Sequence, residues 1–244
     1  MKPEIRTLAR LLVVQASWNY ERMSGLGLGH AAEPLLQDLD RSDPARHADA
    51  LHRAAGFFNS HPYLAGVAVG AEVRAEYDGI PGGQIERLRA ALCSPLGALG
   101  DQLFWAGAWP AAIGAALIAV ALGAGWWAPG AAVTAMLATR LYVTRWALRT
   151  GLRSGMQVGV ALQRTRLRPL VNPLGLAAAL AVGAAVPLVI RAGLGAPRAF
   201  AAGLTVLVAA AGIAAGQWLG PRTTGIRFGL AALVATLVVR LVLR

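Results

Sequence analysis

From Leu103 to Trp127 the chain reads LFWAGAWPAAIGAALIAVALGAGWW, 25 residues without a charge. A helix needs about 20 apolar residues to cross a bilayer, and helices and closed barrels are the backbones that satisfy their own polar groups in lipid. The stretch therefore reads as a membrane span. The remainder of the 244 residues agrees, being 56% hydrophobic and only 14% charged, where a soluble domain carries roughly 25% charged residues. The expected fold is an all-α, polytopic integral membrane protein with an amphipathic N-terminal helix, re-entrant or broken helices and several transmembrane helices.

Charge divides the chain at the edge of that stretch. All 12 acidic residues and 10 of the 23 Lys and Arg lie at or before Asp101, a balance of −2, while the other 143 residues carry +13 and no acid. Residues 1–101 are read as an N-terminal amphipathic arm and polar-motif region with a re-entrant segment, and residues 102–244 as a transmembrane helical region. A nucleic-acid partner is not expected, because the late arginines punctuate apolar runs as juxtamembrane residues do instead of clustering on a polar face. The single cysteine, Cys93, excludes an intramolecular disulfide framework and a cysteine-built metal centre.

Working outward towards the N-terminus, Ser94-Pro95-Leu96-Gly97-Ala98-Leu99-Gly100-Asp101 is rich in Gly and Pro, and broken backbone is expected there, at the mouth of the span. Residues 72–91, with Glu72, Arg74, Glu76, Asp78, Glu86, Arg87, Arg89 and the turn Pro81-Gly82-Gly83, are expected to lie in water. The apolar run Tyr63–Ala71 is too short to cross. Before it, Ser42-Asp43-Pro44 is a helix start and the helix behind it leads to Asn59-Ser60-His61-Pro62, where Pro62 takes His61 out of helical geometry. Gly25, Gly27 and Gly29 suit a bend or a close helix contact. Lys2, Arg6 and Arg10 share one helical face and Ile5, Leu8, Leu12 and Ala16 another, the signature of an interfacial helix or of an ordinary amphipathic surface helix.

Towards the C-terminus, 128–149 has spanning length but carries Arg140 and Arg145, so a re-entrant, tilted or partner-packed segment is expected. The arginines from 149 to 168 place that loop in the cytoplasm or against anionic lipid headgroups. Three apolar segments follow: 174–194, 200–219 and 226–243. Their Gly and Ala content fits close packing within the subunit or across an oligomer.

Three polar islands carry a resemblance. Gln15-Ala16-Ser17-Trp18-Asn19-Tyr20-Glu21-Arg22-Met23, Phe57-Phe58-Asn59-Ser60-His61-Pro62-Tyr63 and Pro95-Leu96-Gly97-Ala98-Leu99-Gly100-Asp101 with Phe104-Trp105 resemble the IID membrane component of the mannose, fructose and sorbose class of the bacterial phosphoenolpyruvate-dependent sugar phosphotransferase system. The resemblance implies a multi-pass protein of the bacterial plasma (inner) membrane that pairs with a IIC subunit to form the sugar path. It implies IIA and IIB phosphocarrier proteins as further partners, a hexose substrate, no cofactor, and phosphotransfer chemistry on the partners and not on this chain. Trp109-Pro110 and Arg168-Pro169-Leu170-Val171-Asn172-Pro173 depart from the family's pattern, and the alternative they leave is a divergent, non-transporting assembly or regulatory membrane subunit.

Sugar recognition needs converging hydrogen-bond groups and an aromatic face. Asn19, Glu21, Asn59, His61 and Asp101 are the candidates for the first. Trp105, with Trp18 and Tyr63, is the candidate for the second. The structural alternatives are a helix cap for Asn59, an ion pair with Arg22 for Asp101, and interfacial anchoring for the tryptophans. None of His30, His47, His52 and His61 stands in a metal-ligand or phosphate-cradle pattern.

Overall fold

The computed structural model describes residues 2–194, with Gly203 and Leu207 as isolated positions beyond them. The chain divides into two units, Met1–Val182 and Gly183–Arg244. The expected segments 200–219 and 226–243 lie outside the described residues.

Every regular element among the described residues is helical: α1 (Pro3–Leu12), α2 (Gly25–Ser42), α3 (Pro44–Ala54), α4 (Ala65–Tyr77), α5 (Gly82–Gly100), a π-helical segment (Asp101–Ala108), α6 (Trp109–Ala121), α7 (Trp127–Ser154), a short 3-10 turn, α8 (Val158–Gln163) and α9 (Leu167–Leu194). The start of α3 is capped as its sequence requires, the Asp43 carboxylate accepting the Arg46 N–H at 3.0 Å with Pro44 behind it. The break at His61-Pro62 is also present, and α4 begins only at Ala65.

The apolar run before residue 72 becomes α4, the most enclosed helix of the first unit, with Val67, Ala68, Ala71 and Ala75 all without exposed surface. It crosses α7 backbone to backbone. A Cβ on Gly70 would stand 2.4 Å from the Leu148 oxygen, and one on Gly151 would stand 2.3 Å from the Val67 oxygen. Gly25, Gly27 and Gly29 serve the same purpose at the start of α2, where added Cβ atoms would meet Gly56, Val14 and Ala55. They make close contacts and not a bend.

Three expectations are corrected. The 94–105 backbone is not broken: a continuous helix runs Gly82–Ala121 through Pro95, and the departure from α geometry takes the form of the π segment, in which the Trp109 N–H bonds the Phe104 oxygen five residues back. Pro110 has no N–H to donate, so the wider turn before it loses less than an α turn would. The 72–91 region is only partly in water: Arg74, Asp78, Glu86 and Arg87 are exposed, whereas Glu72, Glu76 and Arg89 are buried. They are buried because each has a counterion, Arg89 with Glu72 at 2.7 Å and Arg53 with Glu76 at 2.6 Å. Finally, α1 is the amphipathic helix expected, but it turns its Thr7–Leu11 side to the protein, where Arg10 pairs with Glu33 of α2, and leaves Ile5 of the expected apolar face 50% exposed.

Among the described residues, two helices are long and apolar enough to cross a membrane, Gly82–Ala121 and Leu167–Ala192. α7 runs unbroken for 28 residues, and its Arg140 is accommodated by a hydrogen bond to the Leu12 carbonyl and by the face of the Tyr63 ring, 5.5 Å away.

Candidate functional site

The break between α3 and α4 lies along one face of α5. Asn59 exchanges two hydrogen bonds with Cys93, its N–H donating to Sγ at 3.1 Å and the thiol donating to its carbonyl at 2.9 Å. Further along, a Cβ at Gly100 would fall 2.2 Å from His61 Cβ, so only glycine lets the histidine seat there. The seat lies one residue before Asp101, where the π segment begins.

His61 is buried in an aromatic box. Its ring stacks on Phe104 at 4.9 Å, meets Tyr63 edge-on at 4.8 Å and lies 5.2 Å from Trp105. The Trp109 indole stacks on Trp105 at 6.4 Å and donates its N–H to the Tyr63 hydroxyl at 3.2 Å. Trp109 is thus built into the box.

Burial, and secondarily the Arg140 charge, push the His61 pKa down from its usual 6.5 to about 4. The imidazole is therefore neutral near pH 7. Its Nδ1 accepts the Tyr63 N–H at 3.2 Å, which assigns the proton to Nε2, and that buried atom has no protein partner. The Tyr63 hydroxyl, already an acceptor from Trp109, keeps its own proton for donation. The box thus holds unspent donors beside aromatic faces.

The six residues expected from sequence are placed as follows. His61 and Trp105 come together; Trp105 is 51% exposed and so offers its outer face. Asp101 is exposed about one turn before Trp105 on the same segment. The Asn59 side chain is exposed beside the strip of α5 that holds its backbone. Asn19 is spent locally, its Oδ1 accepting the N–H groups of Glu21 at 3.1 Å and Arg22 at 2.8 Å in an Asx turn. Glu21 is exposed in that loop, which is fastened to the break by the Phe58 N–H to the Arg22 carbonyl and the Ser24 N–H to the Phe58 carbonyl. Sequence reasoning missed Arg89, Phe104 and Cys93 as neighbours of the break; their spacing from Gly97 and Gly100 along one helical face was the available signal. Among the described residues, no group of three or more His, Cys, Asp or Glu could hold a metal ion.

The fold and the site define an all-helical membrane subunit with a polar, aromatic-lined break seated on a long apolar helix. The chain belongs to the mannose/fructose/sorbose family of IID components of the phosphotransferase system, which it matches over residues 2–209. It is 34% identical over 110 residues to the mannose-specific EIID component of Escherichia coli (strain K12), covering 42% of this chain and 39% of that protein. It is 38% identical over 110 residues to the sorbose-specific EIID component of Klebsiella pneumoniae, covering 42% and 40%. The matched stretch spans about two-fifths of the length of these relatives. Among solved structures, a cryo-EM complex of the mannose transporter ManYZ with microcin E492 shares the fold, with a TM-score of 0.57 at 24% identity over 76% of this chain and 69% of that one.

Proposed function

We propose that this chain is the IID subunit of a mannose-type sugar phosphotransferase system in the bacterial inner membrane. With a IIC subunit it forms the passage through which a hexose enters, and IIA and IIB proteins carry phosphate to the incoming sugar. The observation that carries this reading is the aromatic box around His61, with unspent N–H and O–H donors beside exposed Trp105 and Asp101, in a chain of the IID family. An indole face suits the apolar side of a pyranose ring, and converging polar groups suit its hydroxyls. The names of the relatives, mannose-specific and sorbose-specific, favour a hexose. In this reading phosphotransfer belongs to the IIA and IIB partners, and this chain contributes binding groups.

The test is uptake of radiolabelled mannose, fructose and sorbose by transport-deficient cells expressing this chain with its IIC and IIB partners. Phosphorylated sugar accumulates only while the phosphate relay is intact. Accumulation that persists without the relay would overturn the proposal.

A further inference from the structure

Four residues of α5 meet the α3–α4 break in order. Arg89 faces Gly56 and Phe57, Cys93 faces Asn59, Gly97 lies under Ser60, and Gly100 lies under His61. Arg89, Cys93 and Gly97 are spaced four apart, one stripe of a helix. The break therefore lies along a template strip, and its first contact is the one that uses a charge.

Arg89 is 5% exposed, and each of its three guanidinium nitrogens makes a hydrogen bond. Nη1 donates to both Glu72 oxygens at 2.7 and 2.8 Å, Nη2 donates to the Gly56 carbonyl at 2.8 Å, Nε donates to the Phe57 carbonyl at 3.3 Å, and the plane lies 4.9 Å from the Phe58 ring centre. The planar guanidinium thus holds the carboxylate at Nη1 and two successive carbonyls along its Nε–Nη2 edge, a fixed geometry that an ammonium group lacks. Glu72 belongs to α4, which follows the break. One side chain thus joins the helix before Asp101, the helix after His61 and the chain leading into Asn59.

We propose that Arg89, oriented by Glu72, is a positioning residue that sets the register of the 56–61 break on α5 and thereby the place of Asn59 and His61 in the site. From the other side the break is held by backbone bonds to Arg22 and Ser24. Loss of the Arg89 fork therefore unseats the break and leaves the helices standing. A purely structural ion pair would instead govern only how much folded protein is present.

Cys93 is the chain's sole cysteine and is bonded to the break itself, so it reports the seating directly. In the assembled membrane complex, the rate of Cys93 labelling by a maleimide, read on this chain's gel band, rises about ten-fold in Arg89→Gln. It rises less in Arg89→Lys, which retains a cation for Glu72 but loses the fork. An unchanged rate in an assembled variant overturns the proposal. If Arg89→Gln does not accumulate, Arg89→Lys decides, and wild-type labelling there is contradictory. A second measurement rests on the proposed function: hexose uptake by Arg89→Lys shows a raised KM at near-normal maximal rate per assembled complex. A wild-type KM beside altered labelling would leave the positioning intact and strike at the hexose reading alone.

Discussion

The α4 helix and the two candidate spans invert the pattern of a water-soluble protein. The short helix, bearing Glu72 and Glu76, is almost wholly enclosed, whereas only 22% and 11% of the most apolar windows of Gly82–Ala121 and Leu167–Ala192 are buried within the protein. In water, burial follows apolarity. In a bilayer the lipid is as apolar as leucine, so apolar surface gains nothing from being enclosed, and the interior is held by close backbone contact and by paired charge. The buried charges Glu72, Glu76 and Arg89 accordingly sit in the packed region and the featureless apolar sequence largely outside it.

The largest effects are expected where helix backbones touch. Gly70→Ala or Gly151→Ala places a Cβ against α7 or α4 backbone that cannot swing aside; the predicted loss is about 4 kcal/mol or more, seen as failure to recover folded protein from detergent. Next, Glu72→Leu leaves the Arg89 guanidinium buried without its carboxylate, a cost of about 3–5 kcal/mol. The double variant Glu72→Leu/Arg89→Met regains much of that stability in thermal unfolding but not the hexose KM, because the carbonyls of the break stay unheld.

A smaller effect sharpens the comparison through pH. The folded His61 pKa of about 4 lies below the usual 6.5, so the unfolded chain takes up a proton first. The contribution of His61 is complete above pH 6.5 and declines as pH falls towards 4. The unfolding midpoint of the wild type should fall through that window, and His61→Gln should flatten the fall. The smallest effect belongs to the candidate span Leu167–Ala192. Gly175→Ala meets nothing within 4 Å, and removing a helical glycine should be neutral or stabilising by up to about 1 kcal/mol.

Much of the architecture was legible because it rests on local chemistry. Asp43-Pro44 starts a helix, the chain is non-helical at His61-Pro62 although that helix already ends at Ala54, and the uncharged run from residue 103 lies as far as Ala121 in a long apolar helix. The His61–Trp105 meeting was foreseen only as a pair of islands. Its closeness depends on Gly100, whose missing Cβ no periodicity announces. Glu72, Glu76 and Arg89 were misread as a wetted stretch, because a charge on a helix looks alike whether its partner is water or an arginine 17 residues on. Asn19 looked like a ligand-binding amide and closes an Asx turn, while Pro95 looked like a break and is carried within the helix.

On the proposed function, the break seated on α5 receives the sugar beside Trp105. The decisive experiment is equilibrium binding of radiolabelled mannose to the purified complex of this chain with its IIC partner, comparing wild type with Trp105→Ala, a half-exposed position. The account predicts an affinity lower by about ten-fold, the scale of one lost aromatic face, in a complex that still assembles. Unchanged affinity in that complex would contradict it.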